Sequence, residues 1–188
     1  TQFDKADITK LDKLCISLKK INQDSTIKIS LLPFIMKAIT KILKEMPIFN
    51  SSLDGTNENI VLKKYYHVGI AVDTPIGLLV PIIKNVDKKS IKDLTIELSM
   101  LSSKARNNKL QPNEMQGGCF TISSLGGIGG TYFTPIINPP QVAILGISRM
   151  NDEPVFMEKK FRKRKMLPLS LPYDHRVIDG AYAARFTA

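Results

Sequence analysis

Hydrophobic residues recur every three or four positions in three segments of the chain, and this spacing predicts three amphipathic helices. Asp7 can cap the first helix, and the second has Pro33 in its first turn and ends before Pro47. At the start of the third, Ser90 and Asp93 have the spacing of a capping box. The apolar stripes are Ile8, Leu11, Leu14, Cys15, Leu18 and Ile21 in the first helix, Phe34, Ala38, Ile39, Ile42 and Leu43 in the second, and Ile91, Leu94, Leu98, Leu101 and Ala105 in the third.

The hydrophobic period changes to alternation between Ile60 and Val86, which predicts a β-hairpin with its turn at residues 73–77. Asp179 can cap a short last helix that begins at Gly180. Strands and helices do not alternate regularly, as they would in a doubly wound parallel sheet, so the pattern favours an α/β sandwich with a mixed sheet. Further strands are predicted at Cys119–Ser123, Val142–Ile147 and Met166–Leu171.

Length and composition indicate one globular domain. The 188 residues are 43% hydrophobic and 23% charged, which is close to average usage in folded proteins. The longest apolar run is shorter than the ~20 residues that a membrane span needs, and no leader opens the chain, so we expect no membrane partner. Because Cys15 and Cys119 are the only cysteines, neither a disulfide framework nor a bound metal is expected.

The charge balance is strongly basic, with 27 Lys and Arg against 17 Asp and Glu and a net charge of +10. Such an excess is typical of proteins with an anionic partner, which could be nucleic acid, a phosphate-bearing small molecule or an acidic protein. The basic run Lys159–Lys165 contains only one aromatic residue, Phe161, whereas a groove for single-stranded nucleic acid needs several stacking platforms. We therefore interpret this run as a solvated hairpin and expect no nucleic-acid partner.

The glycine-rich segment Leu125–Thr131 resembles a phosphate-binding loop only superficially. It lacks the Gly-Lys-Ser/Thr ending of a P-loop, and Tyr132 stands where a dinucleotide-binding motif needs its third glycine. A sharply turned loop is the simpler interpretation, because glycine readily adopts positive φ.

Two histidines are candidates for acid–base chemistry. His67 lies in an alternating strand pattern that explains it structurally. His175 follows an apolar strand and lies among charged residues close to Asp179, which suits a working base better. Ser123 and Ser124 suggest a hydrolase triad, but Ile122 occupies a position where the nucleophile elbow requires glycine.

Two long segments, 117–126 and 167–181, closely resemble the catalytic domain of the dihydrolipoamide acyltransferases. Shorter matching segments at 50–53, 72–75 and 140–146 extend the resemblance over nearly the whole chain. It implies a mixed-sheet fold like that of chloramphenicol acetyltransferase and homotrimers whose interfaces form the active sites. In the family, such trimers assemble further into a hollow cubic core of twenty-four chains or a dodecahedral core of sixty.

The same resemblance implies transfer of an acetyl group between a dihydrolipoyl arm and coenzyme A in the pyruvate dehydrogenase complex. His175 would be the general base, Ser123 the hydrogen-bond donor to the oxyanion, and Asp179 a further residue of the active-site motif. The chemistry is consistent with these roles, because a neutral imidazole can take the proton of a thiol near pH 7 and a hydroxyl can stabilise a tetrahedral oxyanion. The residues that bind coenzyme A stay unassigned.

Several further expectations follow from the resemblance. Residues 1–188 would be a catalytic domain shortened at both ends, with the lipoyl group carried on a domain outside this chain. The partners of the full-length protein would be pyruvate dehydrogenase and dihydrolipoamide dehydrogenase, in the bacterial cytoplasm or in the mitochondrial matrix of a eukaryote. Within one chain, Ser123 and His175 should lie far apart. Succinyl or branched-chain acyl transfer, and a non-catalytic core scaffold, are the alternatives.

Overall fold

The computed structural model describes residues 1–21 and 29–188. The helices of this part of the chain are α1 (Thr9–Ile21), α2 (Leu32–Glu45), α3 (Ile91–Arg106) and α4 (Gly180–Thr187). Its strands are β1 (Gln2–Asp7), β2 (Ser51–Leu53), β3 (Ile60–Leu62), β4 (Val68–Ile70), β5 (Val72–Thr74), β6 (Gly77–Leu79), β7 (Ile82–Ile83), β8 (Phe120–Ser124), β9 (Ile144–Ile147), β10 (Asn151–Met157) and β11 (Lys160–Leu171). Short 3₁₀ turns cover Pro47–Asn50, Val86–Lys88 and Pro112–Glu114.

A seven-stranded sheet organises the fold, with the order β1-β11-β9-β8-β4-β7 and with β10 paired to β11. β8 runs parallel to both β4 and β9, and the other pairings are antiparallel. The remaining strands form two small antiparallel sheets, β2 with β3 and β5 with β6. The mixed sheet predicted from the sequence is confirmed, and so is the hairpin turn at residues 73–77, which joins β5 to β6.

The capping signals of α3 act as the sequence predicts. The Ser90 hydroxyl accepts a hydrogen bond from the Asp93 amide at 3.1 Å, and the Asp93 carboxylate accepts one from the Ser90 amide at 3.2 Å. Leu94, Leu101 and Ala105 of this helix are buried in the core. Two otherwise unpaired backbone donors are satisfied, which fixes where α3 begins.

α2 is fixed at its start by Pro33 and along its length by Lys37. The Lys37 ammonium donates to three backbone carbonyls, those of Val86, Asp87 and Lys89, at 3.2, 3.0 and 2.9 Å. These carbonyls belong to a 3₁₀ turn and the residue that follows it. The lysine therefore ties the helix to the loop that follows β7.

The core contains three phenylalanine rings from distant parts of the chain. The ring of Phe186 in α4 lies 4.3 Å from that of Phe49 and 5.8 Å from that of Phe120 in β8, measured between centroids. Phe49 and Phe120 are fully buried. Aromatic pairs at these separations add to the stability that their burial provides, so α4 is held firmly on the sheet.

β1 is an element that the sequence pattern did not predict. Its six residues pair antiparallel with Leu171–Met166 of β11, and Lys5 within it forms an ion pair with Glu153 at 2.8 Å. The alternation of partly buried and exposed residues in β1 covers only six positions. Its partner strand lies some 160 positions away in the sequence. Only the folded chain brings the two together.

The basic run Lys159–Lys165 lies in the hairpin of β10 and β11, where residues 160–165 of β11 pair with β10. Both residues of the tip, Glu158 and Lys159, have positive φ, as a tight hairpin turn requires. Most of the positive charges here meet carboxylates within the chain: Arg162 with Glu158, Lys163 and Lys165 with Asp152, and Arg164 with Asp7. The solvated hairpin expected from the sequence is confirmed, and the structure adds its ion pairs.

The helices formed by residues 1–21 and 29–188 include none with the length and apolar character needed to cross a bilayer.

Candidate active site

Ser123 lies near the carboxyl end of β8, a central strand that has parallel neighbours on both sides. It pairs with Gly146 of β9 and is 9% exposed. Among the described residues its hydroxyl has no hydrogen-bond partner, although its backbone is held in the sheet. A rigid strand thus presents a free hydroxyl donor, as an oxyanion-stabilising group requires.

The glycine-rich segment turns sharply after Ser124. The amides of Ile128 and Gly129 donate to the Leu125 carbonyl at 2.9 and 3.0 Å, and Gly129 and Gly130 have positive φ. This confirms the turned loop inferred from the sequence. A cavity of about 310 Å³ opens beside the start of this loop, where its walls include Ser124, Gly126 and Gly127.

His175 lies in the turn between β11 and α4, and its side chain is exposed. Its ring lies 5.5 Å from that of Tyr173, and its imidazole makes no hydrogen bond within the described ranges. The turn is anchored by Asp174, whose amide donates to the Val142 carbonyl at 2.8 Å and whose carbonyl accepts from the amide of Ile178 at 3.0 Å. The histidine is therefore held by its backbone while its ring nitrogens stay available.

Asp174 and Arg176 bracket the histidine. The Arg176 guanidinium donates to both carboxylate oxygens of Asp174, with a shortest distance of 2.6 Å, and its backbone amide donates as well. The hydrogen bond from the Arg176 side chain lowers the pKa of Asp174 from its usual range. Sequence inspection assigned no role to this pair, although the signal was present in the opposite charges on either side of His175.

Asp179 caps α4, as predicted. Its carboxylate accepts a hydrogen bond from the Tyr182 amide at 2.7 Å. No hydrogen bond joins it to His175 in the part of the chain that the structure describes. Its observed contact is therefore with the helix that follows the histidine turn.

Ser123 and His175 do not meet within one chain. Ser123 pairs with Gly146, whereas Tyr173, two residues before His175, pairs with Ala143. Gly146 and Ala143 are three residues apart, which corresponds to ~10 Å along a strand. The structure thus agrees with the expectation that the two side chains lie far apart in a single chain.

A second cavity, of about 260 Å³, adjoins the histidine turn. Asp174 and Arg176 form part of its wall, opposite the prolines at 139 and 140 and Gln141. One cavity is thus lined by Ser124, the sequence neighbour of Ser123, and the other by Asp174 and Arg176, the sequence neighbours of His175. A reaction that uses both side chains needs the serine half of one chain to face the histidine half of another.

His67 and Cys119 form a separate structural pair. The Cys119 sulfur accepts from the His67 amide and donates to the His67 carbonyl, both at 3.1 Å, and the Asn85 amide donates to Nδ1 of the His67 ring. Burial lowers the pKa of His67 and raises that of Cys119. These shifts keep both groups neutral near pH 7, consistent with the structural role inferred for His67.

Candidate metal ligands do not cluster in the described ranges, where no three His, Cys, Asp or Glu side chains come together as ligands for one ion.

Comparison with known proteins places the chain among the acyltransferases of the 2-oxoacid dehydrogenases. The family of 2-oxoacid dehydrogenase acyltransferases (catalytic domain) matches residues 1–188. The dihydrolipoyllysine-residue acetyltransferase component of the pyruvate dehydrogenase complex is 55% identical to this chain in Cupriavidus necator, over 99% of the chain and 33% of that protein. The Azotobacter vinelandii protein of the same name is 55% identical over 100% of the chain and 29% of its own length. The chain thus spans about a third of these curated relatives.

Solved structures support the same family. A dihydrolipoamide acetyltransferase structure from Azotobacter vinelandii superposes with a TM-score of 0.96 at 55% identity, covering 99% of this chain and 76% of that one. It comes from an investigation of a serine, a histidine and an asparagine in the catalytic mechanism of that enzyme. A second structure with a TM-score of 0.96 is the cubic core of the pyruvate dehydrogenase multienzyme complex. Chloramphenicol acetyltransferase, 13% identical with a TM-score of 0.64 and 98% of this chain covered, shares the fold. This chain belongs to the 2-oxoacid dehydrogenase acyltransferases, whose catalytic domain its residues 1–188 match.

Proposed function

We propose that this chain transfers an acetyl group between the thiol of a dihydrolipoyl arm and the thiol of coenzyme A, as the catalytic domain of a pyruvate dehydrogenase complex. One observation carries the proposal. In the Azotobacter vinelandii enzyme the histidine under study lies 52 positions after the serine, and the asparagine lies four positions after the histidine. Ser123, His175 and Asp179 have the same two spacings. With 55% identity over the aligned region, this match supports equivalent roles.

The proposed site forms between two copies of the chain. The separation of Ser123 from His175 within one chain supports this arrangement, and so does the likeness to a structure of a cubic core. In a trimer with heterologous contacts, each interface would join the serine of one copy to the histidine of the next. The trimer would then be the smallest active unit and the building block of a larger core.

The chemical roles follow from the properties of the side chains. His175 would accept the proton of the attacking thiol, since a neutral imidazole is a general base and a thiol must lose its proton to attack a thioester. The thiolate attacks the thioester carbonyl, and the resulting oxyanion would accept a hydrogen bond from Ser123. Such a donor typically contributes about 10²–10³ in rate. The proton on His175 would then pass to the departing thiolate, which restores the neutral ring.

Asp179 would support the site through the helix it caps. The Azotobacter enzyme has asparagine four positions after the histidine, and asparagine and aspartate cap helices about equally well. A capping role is therefore compatible with both residues. In this role Asp179 positions α4 and the end of the histidine turn without taking up or releasing a proton.

The cavity of about 310 Å³ lined by Ser124 would admit the thiol-bearing end of one substrate, and the cavity of about 260 Å³ lined by Asp174 and Arg176 would receive the other. Pockets of this size suit the narrow pantetheine or lipoyl tail rather than a whole coenzyme. The net charge of +10 would attract coenzyme A, which carries several phosphate groups.

The same relatives support the wider setting. They are components of the pyruvate dehydrogenase complexes of two bacteria, Cupriavidus necator and Azotobacter vinelandii, which favours a cytoplasmic enzyme that assembles with pyruvate dehydrogenase and dihydrolipoamide dehydrogenase. The lipoyl group would be carried by a separate domain of the full-length protein. Acyl choice depends on pocket shape, so a rate comparison of acetyl-, succinyl- and isobutyryl-coenzyme A distinguishes the acetyltransferase from its sister enzymes.

Replacement of His175 tests the proposal. We expect His175→Ala to reduce acetyl transfer from acetyl-coenzyme A to free dihydrolipoamide by about 10²–10⁴, because the proton acceptor is lost. His67→Gln is the matched control, since it removes the other histidine and should leave the rate near that of the parent protein. Circular dichroism should show that both variants are folded. A folded His175→Ala protein with near-native turnover would refute the assignment, and a parent protein without activity would favour a scaffold.

A further inference from the structure

A third cavity lies at the amino ends of the parallel strands, the end of the sheet remote from Ser123. Its volume is about 290 Å³. Five polar side chains line it: Lys63, Tyr65, Gln116, Asn138 and Gln141. We call it the donor cavity, because each of these side chains can donate a hydrogen bond and no carboxylate is among the lining residues. It adjoins the cavity beside the histidine turn, with which it shares the prolines at 139 and 140 and Gln141.

Lys63 is a cation without a counter-charge. Its side chain is half-buried, and within residues 1–21 and 29–188 its ammonium has neither a salt-bridge partner nor a hydrogen-bond acceptor. Burial lowers its pKa, in agreement with an ammonium that has lost water and gained no anion. Two other partly buried lysines, Lys89 and Lys104, do have a counter-charge, because each forms an ion pair with a glutamate.

Gln141 supplies a second, independent feature. It is only 6% exposed, and its Oε1 accepts a hydrogen bond from the Thr121 hydroxyl at 2.7 Å, which fixes the orientation of the amide. The Nε2 group has no hydrogen-bond acceptor among the described residues, although Gln141 lines the cavity. A Cβ atom at Gly118 would lie 2.9 Å from this nitrogen, so the glycine leaves the amide its space. This nitrogen is therefore a hydrogen-bond donor available to a ligand in the cavity.

We propose that the donor cavity binds a phosphate group. The ammonium of Lys63 supplies the charge, and the amides of Gln141, Asn138 and Gln116 supply additional donors, a set that complements an oxyanion with several acceptor oxygens. The volume lies at the lower end of the range for small-molecule sites, which fits inorganic phosphate or a small phosphomonoester. This inference does not depend on the acyltransferase reaction.

Calorimetric titration of the full chain tests the proposal. The probes are inorganic phosphate and glycerol 1-phosphate, at constant ionic strength and in a phosphate-free buffer. We expect saturable binding of at least one probe per chain. Stronger binding of glycerol 1-phosphate would identify an organic phosphomonoester as the natural ligand, and stronger binding of inorganic phosphate would identify the free ion.

Two neighbouring lysines provide a matched pair of variants. Lys63→Met should raise the dissociation constant at least about tenfold, because a hydrogen bond to a charged group is lost. Lys64→Met removes the same charge from an exposed side chain that does not line the cavity, and should change the constant less than about twofold. Thermal unfolding monitored by circular dichroism checks that both variants are folded.

Three results would overturn the proposal. The first is the absence of saturable binding of either probe up to about 10 mM, a concentration far above a useful affinity. The second is equal weakening by Lys63→Met and Lys64→Met, which would indicate a response to net charge. The third is binding that Lys63→Met leaves unchanged, which would place the phosphate elsewhere on the basic surface. Acetyl-transfer activity is measured separately, so its loss or retention does not bear on these outcomes.

Discussion

Two inactive variants should restore activity when they are combined in one trimer. Ser123→Ala removes the proposed oxyanion donor and His175→Ala the proposed base, and the structure keeps these positions apart within one chain. If each site joins the serine of one copy to the histidine of the next, a mixed trimer contains an interface at which both side chains are intact. Neither variant alone can form such an interface.

The recovered activity can be calculated from the symmetry of the trimer. With equal amounts of the two variants and random assembly, about three quarters of the trimers are mixed, and each of these has one intact site out of three. About a quarter of all sites should therefore be active. A site built within one chain would instead give no recovery, because every chain lacks one of its two groups.

The assay is acetyl transfer from acetyl-coenzyme A to dihydrolipoamide after co-expression, or after the two variants are unfolded together and refolded. Trimers of each single variant give the background, which for Ser123→Ala should be about 10²–10³ below the parent rate. As a control, the parent chain is mixed with the double variant Ser123→Ala/His175→Ala. That mixture should also show about a quarter of the parent activity, whereas a site within one chain would give about half.

Failure to recover activity, in mixtures whose subunit exchange has been confirmed by mass spectrometry, would refute a site shared between copies. A value near one half in the control mixture would do the same. Both outcomes would require Ser123 and His175 to act within one chain, in conflict with the separation of their strands.

Three further predictions concern local structure. Asp179→Ala should lower the free energy of unfolding in urea by about 1 kcal/mol, because α4 loses its cap. Asp179→Asn should change it by only a few tenths of a kcal/mol, because asparagine also caps helices. Equal losses in the two variants would exclude the capping role. Gly146→Ala should lower the free energy of unfolding by about 1–3 kcal/mol, because the new methyl group would overlap the Ser170 hydroxyl. Unchanged stability would show that the strands can move apart. Hydrogen bonds from Asn59 and Thr56 lower the pKa of Asp54 to about 2. The stability that this carboxylate contributes is therefore present above its ordinary pKa and lost as the pH falls through about 2. An NMR titration of Asp54 with a midpoint near pH ~4 would contradict this prediction.

The elements that the sequence predicted best are those defined by neighbouring residues. The capping box of Ser90 and Asp93 and the cap at Asp179 are both confirmed, because each depends on contacts only three residues apart. The strand predicted at Cys119–Ser123 is observed one residue later, as Phe120–Ser124. A run of apolar residues identifies a buried strand well and defines its ends less sharply.

The pairing of strands that are distant in the sequence could not be predicted from local patterns. β1 pairs with a strand at the other end of the chain, and nothing in its six residues identifies that partner. The chain's proposed site residues were recognisable from local motifs around Ser123 and His175, whereas the distance between them required the register of β8, β9 and β11. The donor cavity also escaped sequence inspection, because Lys63 and Gln141 are far apart in the chain and only the fold brings them to one cavity.

The bonding of Lys37 has a consequence for chemical labelling. Its ammonium donates to three backbone carbonyls at 2.9–3.2 Å, so an amine-reactive reagent can reach the nitrogen only after these contacts are broken. Under the proposed function, the protein works among activated acyl groups, which can also acylate its own amines. Lys37 should be among the least modified lysines after treatment with an amine-reactive reagent, and its modification should begin only when α2 separates from the loop it holds.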